Sequence, residues 1–304
     1  MNKRTKLQSL KLSYRRKWKY VLAIMPSILL LYLFNVYPNV AVFPFSFYKW
    51  NPLNAIKTFV GWHNYEIMFT VQLEKTLDRA MNTLMYVLGL LIIQTVFSLI
   101  ISMVLQKPTK RNKFFRAYFM LPMVFSTTMI SMTWNYMYDA NLGVINNILG
   151  MLGVEGYPGV NFMDEGWKAI LLIVIVHIWA NLGYPILMLT SGLNTISADV
   201  GEAARMDGAN SWQTFRHITL PLLLPTLFRL SLTTLTTGAM ATDYIYMMGN
   251  RHCWTWASDM YTATLTGTDY GGVSAASVIL FVVLAVLSTI QFIAMKKVED
   301  KILG

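Results

Sequence analysis

Long uncharged runs of apolar residues alternate with short polar segments along most of this chain. A run of about 20 helical residues crosses a hydrocarbon core of about 30 Å, and six runs reach that length. Backbone groups without partners are costly in lipid, which favours helices, and the regular alternation of a membrane β-barrel is absent. The predicted spans are Tyr20–Phe43, Asn82–Leu105, Ala117–Tyr138, Ala169–Ser191, Leu220–Thr242 and Ser274–Met295.

Composition agrees with this pattern. Of the 304 residues, 55% are hydrophobic and only 13% are charged, against about 25% charged in soluble domains. We therefore predict an all-α membrane protein with six transmembrane helices. Its expected regions are a basic cytoplasmic arm at residues 1–19, a transmembrane domain at residues 20–295 and a cytoplasmic tail at residues 296–304.

The basic residues are distributed unevenly between the two sides of the predicted membrane. Eighteen lie on the side of both termini, six lie on the opposite side, and Arg229 lies inside a span. Because cytoplasmic segments carry the excess of Lys and Arg, both termini are predicted to be cytoplasmic. The net charge of +10 does not indicate nucleic-acid binding, since no recognised reading motif accompanies the basic arm.

Two simpler interpretations of the sequence are disfavoured. The uncharged run from Tyr20 to Tyr48 is longer than the apolar region of a cleaved signal peptide and has no small-residue cleavage site. The single cysteine, Cys253, excludes an intramolecular disulfide and a cysteine-based zinc cluster. We predict no metal site.

A polar loop at Asn194–Thr219, between the fourth and fifth predicted spans, is more patterned than a plain connection. Ser197 is a typical N-cap residue, Asp199 follows in the first turn, and Gly208 is a typical C-terminal stop. This pattern predicts a short cytoplasmic helix at Ser197–Asp207.

One side of that helix should carry little side-chain bulk. Gly201, Ala204 and Gly208 are spaced i, i+3 and i+7 and therefore share a face. Such a face would let another surface approach closely. The side chains that point elsewhere are a charged and apolar mixture suited to a protein partner: Glu202, Arg205 and Met206. An amphipathic interfacial helix is the alternative interpretation.

The loop resembles the signature loop of ABC importer permeases. The matching residues are Glu202-Ala203-Ala204, Asp207-Gly208-Ala209, Phe215, Ile218, Leu220-Pro221 and Pro225. An interfacial helix would not require this spacing. In that family the loop is a coupling helix that docks into a cleft on the ATP-binding subunit. The resemblance implies that coupling to the ATPase depends on Glu202, Ala203, Ala204, Arg205, Met206, Asp207 and Gly208.

Weaker similarities to the carbohydrate-type permeases extend along nearly the whole chain. They are Gly61-Trp62-His63-Asn64-Tyr65, Asn82-Thr83-Leu84, Phe114-Phe115-Arg116 with Leu121-Pro122, and Ser274-Ala275-Ala276-Ser277. Many sugar permeases carry Gly-Gly-Pro after the fifth span, whereas this chain has Gly249-Asn250-Arg251. The resemblance implies a sugar or oligosaccharide importer of a prokaryotic cell membrane, and the departure leaves the exact substrate class open.

Motifs of catalysis are absent from the sequence. It contains no Gly-x-x-x-x-Gly-Lys-Ser/Thr phosphate loop, no His-Glu-x-x-His pair and no nucleophile elbow. By resemblance, the chain is a non-catalytic subunit that binds no cofactor, and ATP and Mg belong to its partners. The expected complex contains this subunit, a second homologous permease, two ATPase subunits and an extracytoplasmic solute-binding protein, surrounded by membrane lipids.

Sugars are usually held by hydrogen bonds combined with aromatic faces. Hydrogen-bonding and aromatic residues in or near the spans are therefore candidates for the substrate path. Tryptophan and tyrosine also anchor spans at membrane interfaces, and this is the alternative role for each. The candidates for the substrate path are Trp134, Asn135, Tyr138, Asn181, Tyr184, Tyr244 and Tyr246.

Two other residues inside the spans can carry charge. We expect Arg229, eight residues beyond Pro221, to snorkel or to form a structural ion pair rather than to gate transport. His177 is predicted to be a hydrogen-bonded packing residue rather than a ligand.

Other classes of protein explain less of the sequence. An ion-gradient-driven secondary transporter often has acidic residues at its membrane-embedded site, and the six predicted spans contain no Asp or Glu. A membrane scaffold gives no reason for the patterned loop. An ABC permease for a non-sugar polar solute remains an alternative.

Overall fold

The chain is described by a computed structural model that covers residues 18, 20–51, 56–154, 156, 159–164, 166–267 and 269–303. The basic arm predicted at residues 1–19 lies outside the described residues apart from Trp18. The strands are β1 (Tyr48–Asn51) and β2 (Ile56–Phe59). The helices are α1 (Tyr20–Phe45), α2 (His63–Phe69), α3 (Leu73–Val104), α4 (Lys110–Met120), α5 (Thr127–Met137), α6 (Val144–Met151), α7 (Gly166–Asn181), α8 (Gly183–Asn194), α9 (Ala198–Met206), α10 (Ser211–Ala239), α11 (Asp243–Met248), α12 (Trp256–Thr266) and α13 (Tyr270–Leu303).

Four helices in the described part of the chain are long and apolar enough to cross a membrane: α1, α3, α10 and α13. Helices α7 and α8 meet at a bend of 57° and count as a fifth if they form one broken span. These helices coincide with five of the six predicted segments. The fold is therefore that of an all-α membrane protein, and the number six stays a prediction.

The third predicted span, Ala117–Tyr138, is not one continuous helix. Helix α4 gives way to a 3-10 turn at Leu121–Val124, which contains Pro122. A new helix, α5, then begins behind Ser126, whose hydroxyl accepts a hydrogen bond from the Met129 N–H at 3.2 Å. A proline removes a backbone donor and a serine cap starts a helix afresh, so the two together explain the break.

The chain divides into two compact units. One unit contains the described residues up to Tyr65 together with those within Gly267–Val278. Within it, β1 and β2 pair antiparallel, with Tyr48 opposite Phe59. The Asn64 amide donates to the carbonyl oxygens of Ser46 at 2.7 Å and of Tyr48 at 3.0 Å, which fixes the hairpin against α2. The sequence pattern had not predicted these strands.

The other unit contains the described residues within Glu66–Thr266 and Ile279–Gly304. Its main core packs around fully buried residues of α3, α7 and α11: Tyr86, Leu90, Ile170, Ile173, Val174 and Ile245. A smaller cluster joins the second half of α8 to the middle of α10 and consists of Leu189, Leu193, Leu223 and Leu230. The two helices that flank the polar loop are therefore packed against each other.

Helices α8 and α10 approach closely at Gly192. A Cβ atom at this position would lie 2.6 Å from the Thr226 hydroxyl and 3.0 Å from Leu223 Cδ1. Only a glycine allows this separation without displacing a neighbour. The close approach holds together the two helices that flank the polar loop.

Candidate functional site

The short helix predicted in the polar loop is present as α9. The Ser197 hydroxyl accepts a hydrogen bond from the Asp199 N–H at 3.3 Å and lies 3.1 Å from the Asp199 carboxylate. This cap satisfies one of the free donors of the first turn, and the acidic residue there suits the helix dipole. At the other end, the Arg205 guanidinium donates from Nε to the Gly201 carbonyl at 3.3 Å.

Gly208 ends α9 with a left-handed backbone, at a φ of 81°. Its N–H donates to the Arg205 carbonyl at 3.1 Å, and the Ala209 N–H donates to the Ala204 carbonyl at 2.9 Å. This pair of bonds is the Schellman motif, which satisfies the last free carbonyls of a helix. The glycine is thus required by the turn itself, whether or not a partner approaches.

The structure turns one member of the expected small face inwards. Ala204 is only 5% exposed. Met206, by contrast, is 89% exposed. Glu202, Ala203, Arg205, Asp207 and Gly208 are also exposed. The surface that α9 offers outwards is therefore the mixed charged and apolar side.

Helix α10 begins directly after this corner and continues into the fifth predicted span. Its first turn is fixed by a capping box, in which the Asn210 side chain accepts from the Gln213 N–H at 2.9 Å and the Gln213 side chain accepts from the Asn210 N–H at 2.8 Å. A π-helical turn at Phe215–Thr219 precedes Pro221 without ending the helix. A displacement of α9 would therefore act on a span through a short, fixed corner.

A polar cluster lies where α7 breaks from α8. The Asn181 amide donates to the Tyr244 hydroxyl at 3.1 Å and to the His177 carbonyl at 3.0 Å. The Tyr86 hydroxyl lies 2.6 Å from His177 Nδ1, and the rings of His177 and Tyr244 are 4.9 Å apart. These four residues, here called the polar cluster, link α3, α7 and α11.

A second group of candidates is aromatic. The Trp134 ring lies 5.5 Å from the Tyr138 ring and 5.6 Å from the Trp179 ring. Tyr138 is buried and lies 5.8 Å from Phe162. Trp134 packs against the same core cluster that contains Tyr86 and Tyr244. The aromatic group and the polar cluster therefore belong to one region of the fold.

The remaining path candidates lie elsewhere. Asn135 and Tyr184 are exposed, and Tyr246 packs edge-on against Tyr261 at 5.2 Å. The structure therefore brings Asn181 together with Tyr244, and Trp134 together with Tyr138, but does not gather all seven residues into one site.

Residues 97–304 match the family of binding-protein-dependent transport system inner membrane components. The chain belongs to this family. Its members are the permease components of ABC importers, which are not catalytic, and separate ATPase subunits hydrolyse ATP. The fold and the motifs of the polar loop agree with this assignment.

Relatives of this permease are similar over nearly their full lengths. It is 29% identical to the multiple sugar-binding transport system permease protein MsmF of Streptococcus mutans, covering 93% of this chain and 96% of the relative. It is also 29% identical to the trehalose/maltose transport system permease protein MalF of Thermococcus litoralis, covering 90% and 92%.

A solved structure shares the fold of the permease. It is a bacterial ABC transporter involved in the import of the acidic polysaccharide alginate. One of its chains superposes with a TM-score of 0.80 at 21% identity, covering 95% of this chain and 99% of that chain. At this level of identity the likeness identifies the architecture alone.

Sequence reasoning missed part of the permease's polar cluster. Tyr86 lies 91 residues from His177 in the chain, and nothing local in the sequence indicated the pair. His177 and Asn181 were noted separately, although their i, i+4 spacing on one helix places them side by side. Trp179 was likewise overlooked. The prediction that His177 is a hydrogen-bonded packing residue is confirmed.

Arg229 of the permease lies on α10 and pairs with a residue of α13. Its Nη2 lies 3.9 Å from Glu299 Oε1, and both side chains are partly exposed. The Gln291 amide also donates to the Ser231 hydroxyl, so two polar contacts join α10 to the last turns of α13. The expected structural ion pair is confirmed, and as an exposed pair it contributes little stability.

Proposed function

We propose that this permease carries a sugar or oligosaccharide across the cell membrane of a prokaryote. The single observation that carries the importer role is α9, which is capped at both ends, exposes Glu202 and Met206, and leads directly into a membrane span. Membership of the permease family and the carbohydrate substrates named for the relatives MsmF and MalF support it.

In this proposal α9 is the coupling helix. Its outward residues Glu202, Ala203, Arg205, Met206 and Asp207 contact an ATPase subunit, and the turn at Gly208 fixes the direction in which α9 points. Closure of the ATPases pushes α9, and the capped start of α10 transmits the push. The spans then rock, so that the substrate path opens to each side in turn.

The proposed complex contains a second homologous permease, two ATPase subunits and an extracytoplasmic solute-binding protein. ATP and Mg are held by the ATPase subunits, and no cofactor is assigned to this chain. Both termini are cytoplasmic, as the distribution of Lys and Arg indicates. On this topology the loop that contains α6 is external.

The proposed path for the solute passes the polar cluster and the aromatic group. Broken helices are recurrent binding elements in membrane transporters, and the 57° bend follows Asn181 directly. The Asn181 amide and the Tyr244 hydroxyl offer hydrogen bonds to a sugar, and Trp134 offers an aromatic face. Tyr138 supports Trp134, whereas Asn135, Tyr184 and Tyr246 would act at other points along the path.

The proposal is tested by charge reversal at Glu202 in a reconstituted complex. Glu202→Lys should lower ATP-driven uptake by at least about tenfold, since a like charge placed at a protein contact costs several kcal/mol. Glu202→Gln removes the charge but keeps the shape of the side chain, so uptake should fall less than in Glu202→Lys. Glu74→Lys reverses another exposed acid, in the first turn of α3, and should leave uptake close to the unmodified value.

Normal uptake by Glu202→Lys, with normal membrane insertion, would overturn the role of that residue. Withholding ATP separates the classes of transporter. An ion-gradient-driven carrier would keep transporting, whereas the proposed importer stops. The co-purifying binding protein identifies the solute. If that solute is not a sugar and the complex takes it up, the chain is a permease for another polar solute.

A further inference from the structure

One face of α4 presents basic side chains followed by aromatic ones. Lys110, Phe114 and Tyr118 are spaced i, i+4 and i+8, and therefore form one stripe along the helix. Arg111 and Phe115 form the adjacent stripe. All five side chains are exposed, and together they are called the basic-aromatic face.

The opposite face of α4 is polar and holds the helix against the rest of its unit. The Asn112 side chain is buried and donates to the Lys107 carbonyl at 3.0 Å. The Arg116 guanidinium donates from Nη2 to the Gln106 carbonyl at 2.9 Å, and Phe119 packs against the main core. Helix α4 thus turns Asn112, Arg116 and Phe119 towards the protein and leaves the other aromatic side chains outwards, where they suit a lipid surface.

The charge along this segment of the sequence has one sign. Five basic residues and no acidic residue lie between Lys107 and Tyr138 in the sequence. Arg116 is engaged with backbone carbonyls, but the other four basic side chains are exposed: Lys107, Lys110, Arg111 and Lys113. Clustered Lys and Arg beside a membrane attract anionic headgroups, and the positive end of the α4 dipole adds to that attraction.

We propose that the basic-aromatic face binds an anionic phospholipid. Lys110 and Arg111 contact the phosphate, while Phe114 and Tyr118 pack against the glycerol and the upper acyl chain. Along one stripe the cation and the two rings extend over about 12 Å at the standard helix rise, which matches a headgroup followed by the start of a lipid chain. This site is separate from the coupling helix and does not depend on the proposed substrate.

The test is native mass spectrometry of the detergent-solubilised transporter during titration with phosphatidylglycerol, phosphatidylcholine or inorganic phosphate. The unmodified protein should bind phosphatidylglycerol more tightly than phosphatidylcholine. Lys110→Ala should weaken phosphatidylglycerol binding about fivefold or more, as expected for one cation at a lipid surface. Lys110 is exposed, so its truncation leaves the packing of α4 intact.

Lys113→Ala is the matched control. Lys113 is an exposed lysine of the same helix, but the residue at i+4 from it is Ala117 rather than an aromatic residue. Lys113→Ala should weaken phosphatidylglycerol binding clearly less than Lys110→Ala does, because Lys113 contributes only to the general attraction of the basic cluster and does not touch the lipid. The paired change Phe114→Ala with Tyr118→Ala should weaken phosphatidylglycerol binding and leave phosphate binding unchanged.

Three results would overturn the lipid site. Equal affinity for phosphatidylglycerol and phosphatidylcholine would show that the negative charge of the headgroup does not contribute to binding. Equal losses in Lys110→Ala and Lys113→Ala would indicate diffuse attraction rather than a site. Phosphate binding as tight as phosphatidylglycerol binding would identify an anion site without a lipid.

Discussion

Gly208 donates its backbone N–H to the Arg205 carbonyl at 3.1 Å while adopting a φ of 81°. Residues with a Cβ atom are strained in this conformation by about 1–2 kcal/mol. We therefore expect Gly208→Ala to destabilise the end of α9 by about that amount. Hydrogen exchange of the Ala209 amide, whose acceptor is the Ala204 carbonyl, measures the change.

Gly201 provides the matched control within the same helix. An added Cβ there would meet no atom within 4 Å, and its φ is not in the left-handed region. Alanine is favoured over glycine inside a helix by about 0.5–1 kcal/mol. Gly201→Ala should therefore slow the hydrogen exchange of the Ala209 amide. If Gly208→Ala and Gly201→Ala change the exchange rate of the Ala209 amide in the same direction, the conformational account of Gly208 is contradicted.

Tyr244→Phe tests the polar cluster. The change removes the hydroxyl that accepts a hydrogen bond from Asn181, whose amide keeps its second bond to the His177 carbonyl. The loss of one such hydrogen bond costs about 0.5–1.5 kcal/mol. If the cluster lines the substrate path, uptake of the sugar carried by the co-purifying binding protein should fall about tenfold.

Tyr261→Phe is the corresponding control, because Tyr261 lies outside the proposed path and its ring contact with Tyr246 is preserved by the change. Its uptake should stay within about twofold of the unmodified value, since no hydrogen bond to the polar cluster is lost. Equal losses in the two variants would exclude a specific role for Tyr244.

Cys253 should be protected from thiol reagents in the folded protein. Its side chain is fully buried, and its thiol donates to Asn250 Oδ1 at 3.3 Å. Burial raises the pKa of the Cys253 thiol, which lowers the fraction of reactive thiolate at neutral pH. Maleimide labelling, followed by mass, should be at least about tenfold slower in the native state than after denaturation.

Labelling at Cys253 is unambiguous, since the sequence has one cysteine. Rapid native labelling would show that the turn at Arg251–Cys253 opens readily. The same measurement checks that each substituted permease keeps its fold.

Local signals in the sequence predicted α9 well. Ser197, Asp199 and Gly208 act on their immediate neighbours, so the cap and the stop could be identified without the fold. The spacing of Gly201 and Ala204 showed that they share a side of the helix. It could not show that Ala204 is buried while Gly208 stays exposed, because that depends on how the chain packs around α9.

Other features depend on contacts between distant residues or on short segments. The average hydropathy of Ala117–Tyr138 conceals the break behind Pro122, since apolar residues lie on both sides of it. Strands of four residues, such as β1, are too short to show a clear alternation. The Tyr86–His177 contact joins two spans, and no periodic pattern encodes such a pair.

The most direct test of the coupling role is crosslinking from Met206, which is 89% exposed on α9. Met206→Cys in a Cys253→Ser background should form a crosslink to the ATPase subunit and react only from the cytoplasmic side. Met151→Cys, at a residue that is 87% exposed on α6, is the control and should react only from outside. Labelling of the Met206→Cys variant from outside intact cells, or an intact complex without an ATPase crosslink, would contradict the account.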